Sequence, residues 1–230
     1  MNSYIDDQVG RFLVRLEELG LPEDTIVIYM ADHGGYMGEH HMIRKTKALY
    51  DCLCRIPLII SWPGSIATGE QRKEFVCAED ILPTLADLIG WQAPEGIQGM
   101  SFEPLLTGEG EYAPRDAIFG EHGSPGRPAT LDSPLTVPEG ALTPDFRPSL
   151  KIGDRGLIKS VQTREWKLVH YPGQPYGELY HLTQDPWELY NLYGRPEHQD
   201  VVAELRHMLL DWMVESEDCL PLSQEEMAGE

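Results

Sequence analysis

Asp32 and His33, followed at once by Gly34 and Gly35, are where the chain's residue types most readily suggest chemistry. A carboxylate beside an imidazole offers a hard oxygen and a nitrogen to one ion, and two glycines remove the Cβ atoms that would keep backbone and ligand apart. A strand-end turn accounts for the same residues, with Asp bonding the local backbone and Gly supplying positive φ. The next dozen residues favour the chemical reading. Gly38, Glu39, His40 and His41 lead to Arg44, Lys45 and Lys47, so three cations close behind a candidate metal carboxylate, in a chain of net charge -20, offer a place for an anion. Taken singly, each lysine would be an ordinary solvated surface residue.

These groups need elements to hold them. The run from Thr25 to Met30 is apolar, rich in β-branched and aromatic residues and too short for a typical helix, so it reads as a strand buried on both faces of a parallel sheet. Asp32 and His33 then stand beyond its carboxyl end, where the loops of open α/β sheets converge on a ligand crevice. Before it, Asn2 or Ser3 can cap a helix whose face carries Ile5, Val9, Phe12, Leu13, Leu16 and Leu19, ended by Gly20 and Pro22. Asp6 and Asp7 on that helix point about 100° apart and complement its dipole, which favours a structural role over a metal pair. Arg55 to Trp62 gives a second buried strand, with Pro57 confined to its start or to an edge. A helix from Glu79 carries Ile81, Leu82, Leu85, Leu88 and Ile89, tolerates Pro83 in its first turn and stops at Gly90. This alternation is that of an α/β layer fold, in which the first helix should follow an earlier strand.

Ala117 to Phe119 is a short apolar piece followed by Glu121 and His122, read as a strand with a polar end. Six prolines between Ser124 and Ser149 mark a long loop, expected to act as a lid. Leu157 to Thr163, Trp166 to Tyr171 and Glu178 to Leu182 alternate like strands of an antiparallel sheet. Val201 to Val214 forms an amphipathic helix on Val202, Leu205, Leu209 and Trp212, and the acidic stretch from Ser223 to Glu230 reads as a frayed tail. The expected organisation is residues 1–123 as an α/β half, 124–150 as the loop, 151–222 as a small antiparallel α+β subdomain and 223–230 as the tail.

The segments Tyr29-Met-Ala-Asp-His-Gly-Gly-Tyr-Met-Gly-Glu-His40, Lys45, Leu49-Tyr-Asp and Arg55-Ile-Pro-Leu-Ile-Ile-Ser-Trp-Pro-Gly64 resemble, in order, the second half of the sulfatase family, within the alkaline phosphatase superfamily. Ala78 to Gly90, Gly99 to Leu106, and Glu178-Leu-Tyr-His-Leu ahead of Asp185-Pro186 continue the match. The resemblance implies a partial doubly wound α/β sheet with helices on its faces, alkaline phosphatase-like, plus a small C-terminal antiparallel α+β subdomain. It also implies hydrolysis of sulfate esters, with Asp32 and His33 as the late metal pair and Lys45 as the lysine on the sulfate. Lys47 is the alternative to Lys45 in a shifted register, and His40 is a candidate for contacting leaving group or sulfate. The implied metal is Ca2+, with Mg2+ or Zn2+ as alternatives; calcium prefers oxygen, whereas imidazole suits zinc better.

The family's nucleophile is a cysteine converted to formylglycine, in the pattern Cys or Ser, any residue, Pro or Ala, any residue, Arg. That pattern is absent from the 230 residues, as are the paired aspartates that begin the family's metal site. The chain therefore reads as the C-terminal portion of a sulfatase, inactive alone, with the missing half of the fold as its partner and a sulfate ester or sulfated sugar as its ligand. A phosphodiesterase or phosphonate monoester hydrolase portion and a non-catalytic interaction module are the competing readings.

Composition narrows the classes further. Eighteen basic residues against thirty-eight acidic ones argue against a phosphate-backbone binder, which normally shows a basic face. No apolar run approaches the roughly 18 residues of a spanning helix, and the N-terminus lacks the basic-then-apolar pattern of a signal peptide, so the chain reads as soluble with its compartment open. Cys52, Cys54, Cys77 and Cys219 show no zinc spacing. Cys52 and Cys54 flank Leu53 near an expected strand and read as packing residues, with a bridge to Cys77 as the alternative.

Overall fold

The computed structural model describes residues 2–46, 48–123 and 158–216. Lys47, Cys219, the proline-rich loop and the acidic tail lie outside them. In chain order the elements are α1 (Asn2–Glu18), β1 (Val27–Met30), β2 (Tyr36–Met37), β3 (Ile43–Arg44), α2 (Asp51–Cys54) and β4 (Leu58–Ser61). Then come α3 (Ile81–Leu88), α4 (Glu103–Thr107), β5 (Ala117–His122), β6 (Ile158–Thr163), β7 (Trp166–His170), β8 (Gly177–His181) and α5 (Gln199–Glu215). They divide into two units, one of Met1–Gly35, Cys54–Ile118 and Met213–Glu230, the other of Tyr36–Leu53 and Phe119–Trp212. None of the described helices is long and apolar enough to cross a membrane.

In the first unit, α1 ends where its sequence says it should. Leu21 donates its N–H to Leu16 O at 3.1 Å and Gly20 donates to Glu17 O at 3.0 Å, with Gly20 at φ +68, which is a Schellman stop. β1 pairs with β4 in the register Val27↔Ser61 to Met30↔Leu58, and Trp62 Nε1 donates to Glu23 O at 2.7 Å beyond the strand end. Pro57 lies just before β4, where its missing N–H breaks no ladder bond.

The structure corrects two expectations about these strands. The pairing is antiparallel, and the strands are not buried on both faces: Tyr29 stands directly opposite Ile59, which is 61% exposed. An apolar run measures how much burial a strand can accept and carries no information about its partner's direction. The α1 face is likewise open, with Phe12 53% exposed, and an open groove of about 360 Å³ lies between Tyr4, Ile5, Gln8 and Phe12 of α1 and Val27 and Tyr29 of β1.

The centre of this unit is Asp80, fully buried at the end of a one-turn 3-10 helix ahead of α3. Its carboxylate accepts the N–H groups of Cys77 and Met100, each at 2.7 Å, and both guanidinium arms of Arg115. Its carbonyl accepts the Thr84 hydroxyl at 2.6 Å, and that hydroxyl accepts the Phe102 N–H at 3.0 Å. One carboxylate thus ties the start of α3 to the Gly99–Phe102 segment. The backbones approach so closely that a Cβ on Gly99 would lie 2.0 Å from Glu79 O. Gly99→Ala is therefore expected to destabilise the protein by about 3 kcal/mol, read as a lowered thermal midpoint; an unchanged midpoint would contradict this packing.

The three described cysteines, Cys52, Cys54 and Cys77, are thiols, so none of them bridges another. Cys52 and Cys54 sit on α2 rather than beside a strand. Burial, then Glu79, pushes the Cys77 thiol up to about 12, so it is not a nucleophile near neutrality.

The second unit is built on a sheet ordered β5-β6-β7-β8, with β6–β7 and β7–β8 antiparallel as the alternation predicts. Directly opposed residues share a face, so the registers Val161↔Leu168↔Leu179 and Lys167↔Tyr180, Val169↔Glu178 define two faces. On the first side, Trp212 of α5 stacks on Phe119 at 4.9 Å, and the Lys159 ammonium lies 4.9 Å from the indole. The second carries the cluster of Leu49, Ile158 and Val169 with Tyr171 against it. Buried Val202, Leu205 and Leu209 confirm the apolar stripe of α5, with Trp212 only half-buried. Glu121 pairs with Lys159, in keeping with a polar strand end.

Candidate active site

The first pair of site residues lies just past β1. His33 donates its backbone N–H to Asp32 Oδ1 at 2.9 Å, the local turn bond that this dipeptide favours. Its ring Nδ1 lies 2.6 Å from Gly34 O. A carbonyl can only accept, so Nδ1 is the donor in this contact, and the Nδ1–H tautomer leaves a lone pair on Nε2. Nε2 faces Asp32 Oδ2 at 3.6 Å, and the Asp32 side chain is 87% exposed. Two donors at that separation can sit side by side on one cation with ligand distances of about 2.3–2.6 Å. A carbonyl holding the far nitrogen of a ligating imidazole is also the usual way such a ring is oriented. The donor chemistry fits a divalent ion but is only part of a site: among the described residues there is no group of three His, Cys, Asp or Glu that could hold a metal.

The second pair belongs to the other unit. β2 and β3 form a two-rung antiparallel hairpin, Tyr36↔Arg44 and Met37↔Ile43, closed by Gly38 N–H to Met42 O at 3.0 Å. Its tip is wound left-handed, with His40 at φ +51 and His41 at φ +58, and Arg44 on β3 has φ +72. Each such non-glycine position costs of order 1–3 kcal/mol and is a feature of functional sites. His40 stacks on the Tyr50 ring at 3.9 Å and 20°, with Tyr36 edge-on to it at 6.1 Å. Tyr36 is anchored in turn by a 3.2 Å hydrogen bond with the Thr46 hydroxyl. Lys45 directly succeeds β3, exposed, and Lys47 lies outside the described residues.

Asp32 and His33 are thus brought together, and so are the residues around His40. None of these residues lines either of two open hollows among the described residues. One is the α1–β1 groove; the other, of about 570 Å³, lies between Tyr176, Asn191, Tyr193 and Gln199. What sequence reasoning missed is the aromatic seat of His40. Tyr36 and Tyr50 stood only as members of ordered segments, and no periodicity marks two rings 14 residues apart as partners of one imidazole.

The fold class is that of the alkaline phosphatase-like α/β proteins: a phosphonate monoester hydrolase of Agrobacterium radiobacter superposes with a TM-score of 0.78 at 27% identity, covering 98% of this chain and 43% of that one. A solved structure in complex with its substrate D-glucosamine-2-N,6-O-disulfate superposes with a TM-score of 0.69 at 27% identity, over 96% of this chain and 40% of that one. The family profile described as Sulfatase matches residues 1–91, and that described as N-sulphoglucosamine sulphohydrolase, C-terminal, matches residues 156–215. Sulfatase models thus match both ends of the chain, as they would a portion of a sulfatase-family protein. An N-acetylglucosamine-6-O-sulfatase of Bacteroides thetaiotaomicron is 29% identical over 96% of the chain, and an arylsulfatase of Clostridium perfringens 29% identical over 90%. The chain spans 36% and 37% of the length of these two relatives.

Proposed function

We propose that this chain supplies part of the metal- and sulfate-binding site of an arylsulfatase-like sulfuric ester hydrolase. The observation that carries the reading is the Asp32–His33 pair, with its imidazole tautomer set by Gly34 and both donors at the end of β1. Asp32 and His33 would hold a divalent ion, Ca2+ first and Mg2+ or Zn2+ as alternatives, which when bound withdraws charge from the sulfate oxygens. Lys45 places an ammonium against the same developing charge, and His40 contacts the leaving group or a sulfate oxygen. Sulfated sugars or other sulfate esters are the substrate class, in keeping with the sulfated glucosamine held by one structural neighbour.

The remaining ligands and the formylglycine nucleophile come, in this reading, from the first half of the fold, which seats on the open faces of α1, β1 and β4. In such a completed enzyme, Lys45→Ala is expected to lower kcat/KM by roughly 10²- to 10³-fold, the size of losing one preorganised charge contact. The deciding experiment is turnover of an aryl sulfate by the metal-loaded chain alone and by the chain joined to a segment bearing the nucleophile motif. Turnover only in the joined protein supports the reading, and robust turnover by the chain alone overturns it. A phosphonate ester assayed in parallel tells the sulfatase assignment from its superfamily alternative.

A further inference from the structure

We infer that Glu188, together with Lys167 and Asp51, is a positioning residue for His40: a buried ion cluster under the β6–β8 sheet fixes the ring on which His40 stacks. The inference rests on the assignment of His40 to the site.

The register places Lys167, Val169, Tyr171, Glu178 and Tyr180 on one face of the sheet. That face is apolar at Val169 but carries a lysine only 2% exposed. The Lys167 ammonium lies 2.8 Å from Asp51 Oδ1 and 2.7 Å from Glu188 Oε1. The other Glu188 oxygen accepts the Asp51 N–H at 2.6 Å. Asp51 is therefore held twice, by its side chain and by its main chain. Glu188 reaches this position from a left-handed backbone, φ +56, with its own N–H donated to Asp185 O at 3.1 Å, so the 185–188 turn is bent to aim its carboxylate inward.

Stability alone does not account for such a cluster. Buried ion groups can often be exchanged for apolar residues of like volume with no loss of stability, whereas removing one member is costly. Burial alone would lower the Lys167 pKa, but Glu188 and Asp51 outweigh it and hold the ammonium charged. Two carboxylates and one ammonium specify a single register for the strand of chain they grip, and the residue next to the grip is Tyr50.

From Tyr50 the contacts run in both directions. Its ring stacks on His40 and meets Tyr36 edge-on at 6.3 Å. Its ring packs against that of Tyr180 at 6.1 Å, the Tyr180 hydroxyl donates to Glu178 at 3.1 Å, and Glu178 also accepts from Tyr171 at 2.5 Å. His40, on a strained hairpin tip, thus rests on a ring that packs against the sheet and that the ion cluster fixes at its backbone.

The test is an NMR measurement on the full chain. The His40 ring protons, over the Tyr50 ring, carry an upfield ring-current shift, assigned by its disappearance in His40→Gln. Tyr50→Leu is expected to abolish the shift and Glu188→Gln to reduce it by more than half, while the methyl resonances of Leu168 and Leu179 stay in place. An unchanged His40 shift in folded Glu188→Gln overturns the inference. If that variant does not fold, Asp51→Asn, which keeps the main-chain donor and loses the charge facing Lys167, is read the same way, with a retained shift again overturning it. Inorganic sulfate titrated into the unaltered chain tests the site separately: moved His40 resonances support the assignment. Unmoved resonances, with the ring-current loss intact, overturn the assignment of His40 to the site and leave only the packing.

Discussion

Asp32→Ala, in the enzyme completed with a nucleophile-bearing segment, is expected to lower kcat/KM by roughly 10³-fold or more, equivalent to about 4 kcal/mol of transition-state stabilisation. Asp32 is the hard anionic donor of the pair, and without it His33 offers the cation only a neutral nitrogen. The checks are metal content by elemental analysis and turnover of an aryl sulfate. His33→Ala refines the result. With a calcium-type ion the loss should be smaller than for Asp32→Ala, because that ion prefers oxygen; with zinc the two losses should be comparable. Full turnover by Asp32→Ala would remove the metal assignment altogether.

The largest effect on stability is expected at Asp80. Asp80→Asn leaves the Arg115 guanidinium, only 20% exposed, facing a neutral amide, and breaking a buried pair of this kind costs about 3–5 kcal/mol. Thermal or urea unfolding followed by circular dichroism measures it, and a loss below about 1 kcal/mol would mean that Arg115 finds water instead. A pH dependence accompanies it. Burial alone would raise the Asp80 pKa, but Arg115 and the N–H groups of Cys77 and Met100 bring it below the ordinary value of 3.8. The folded state therefore binds its proton less readily than the unfolded chain. The stabilisation is fully present above pH 3.8 and is lost as pH falls through the lowered value. Asp80→Asn should lose that part of the acid transition. Glu188 has the opposite sign: burial raises its pKa above 4.5 against the pull of Lys167, so its contribution declines as pH rises through that window.

Much of the fold could be read from local pattern. The stop of α1 at Gly20, the place of Pro57 before β4, Pro83 in the first turn of α3, and the three C-terminal strands each arise from backbone chemistry over a few residues. Partner direction and coverage could not be read. Thr25 to Met30 is apolar enough for a strand covered on both sides, yet its neighbour β4 runs antiparallel and Ile59 faces outward. The site divides in the same way. Asp32-His33-Gly34 declares itself because its chemistry is contiguous. The seat of His40 is assembled from Tyr36, Tyr50, Lys167 and Glu188, whose meeting depends on sheet register rather than on spacing along the chain. Asp80 was visible only as one letter of an ordered segment, since nothing in Ala78-Glu-Asp announces an arginine 35 residues further on.

The outward-turned side chains of Tyr4, Phe12, Val14 and Ile59 give the chain sticky surface, while its net charge of -20 keeps copies apart. That repulsion reaches about 10 Å at 0.1 M salt and only about 3 Å at 1 M. Colloidal behaviour therefore depends on ionic strength: dilute buffer keeps the molecules dispersed, and concentrated salt, by screening them from one another, lets their greasy surfaces meet and the chain clump.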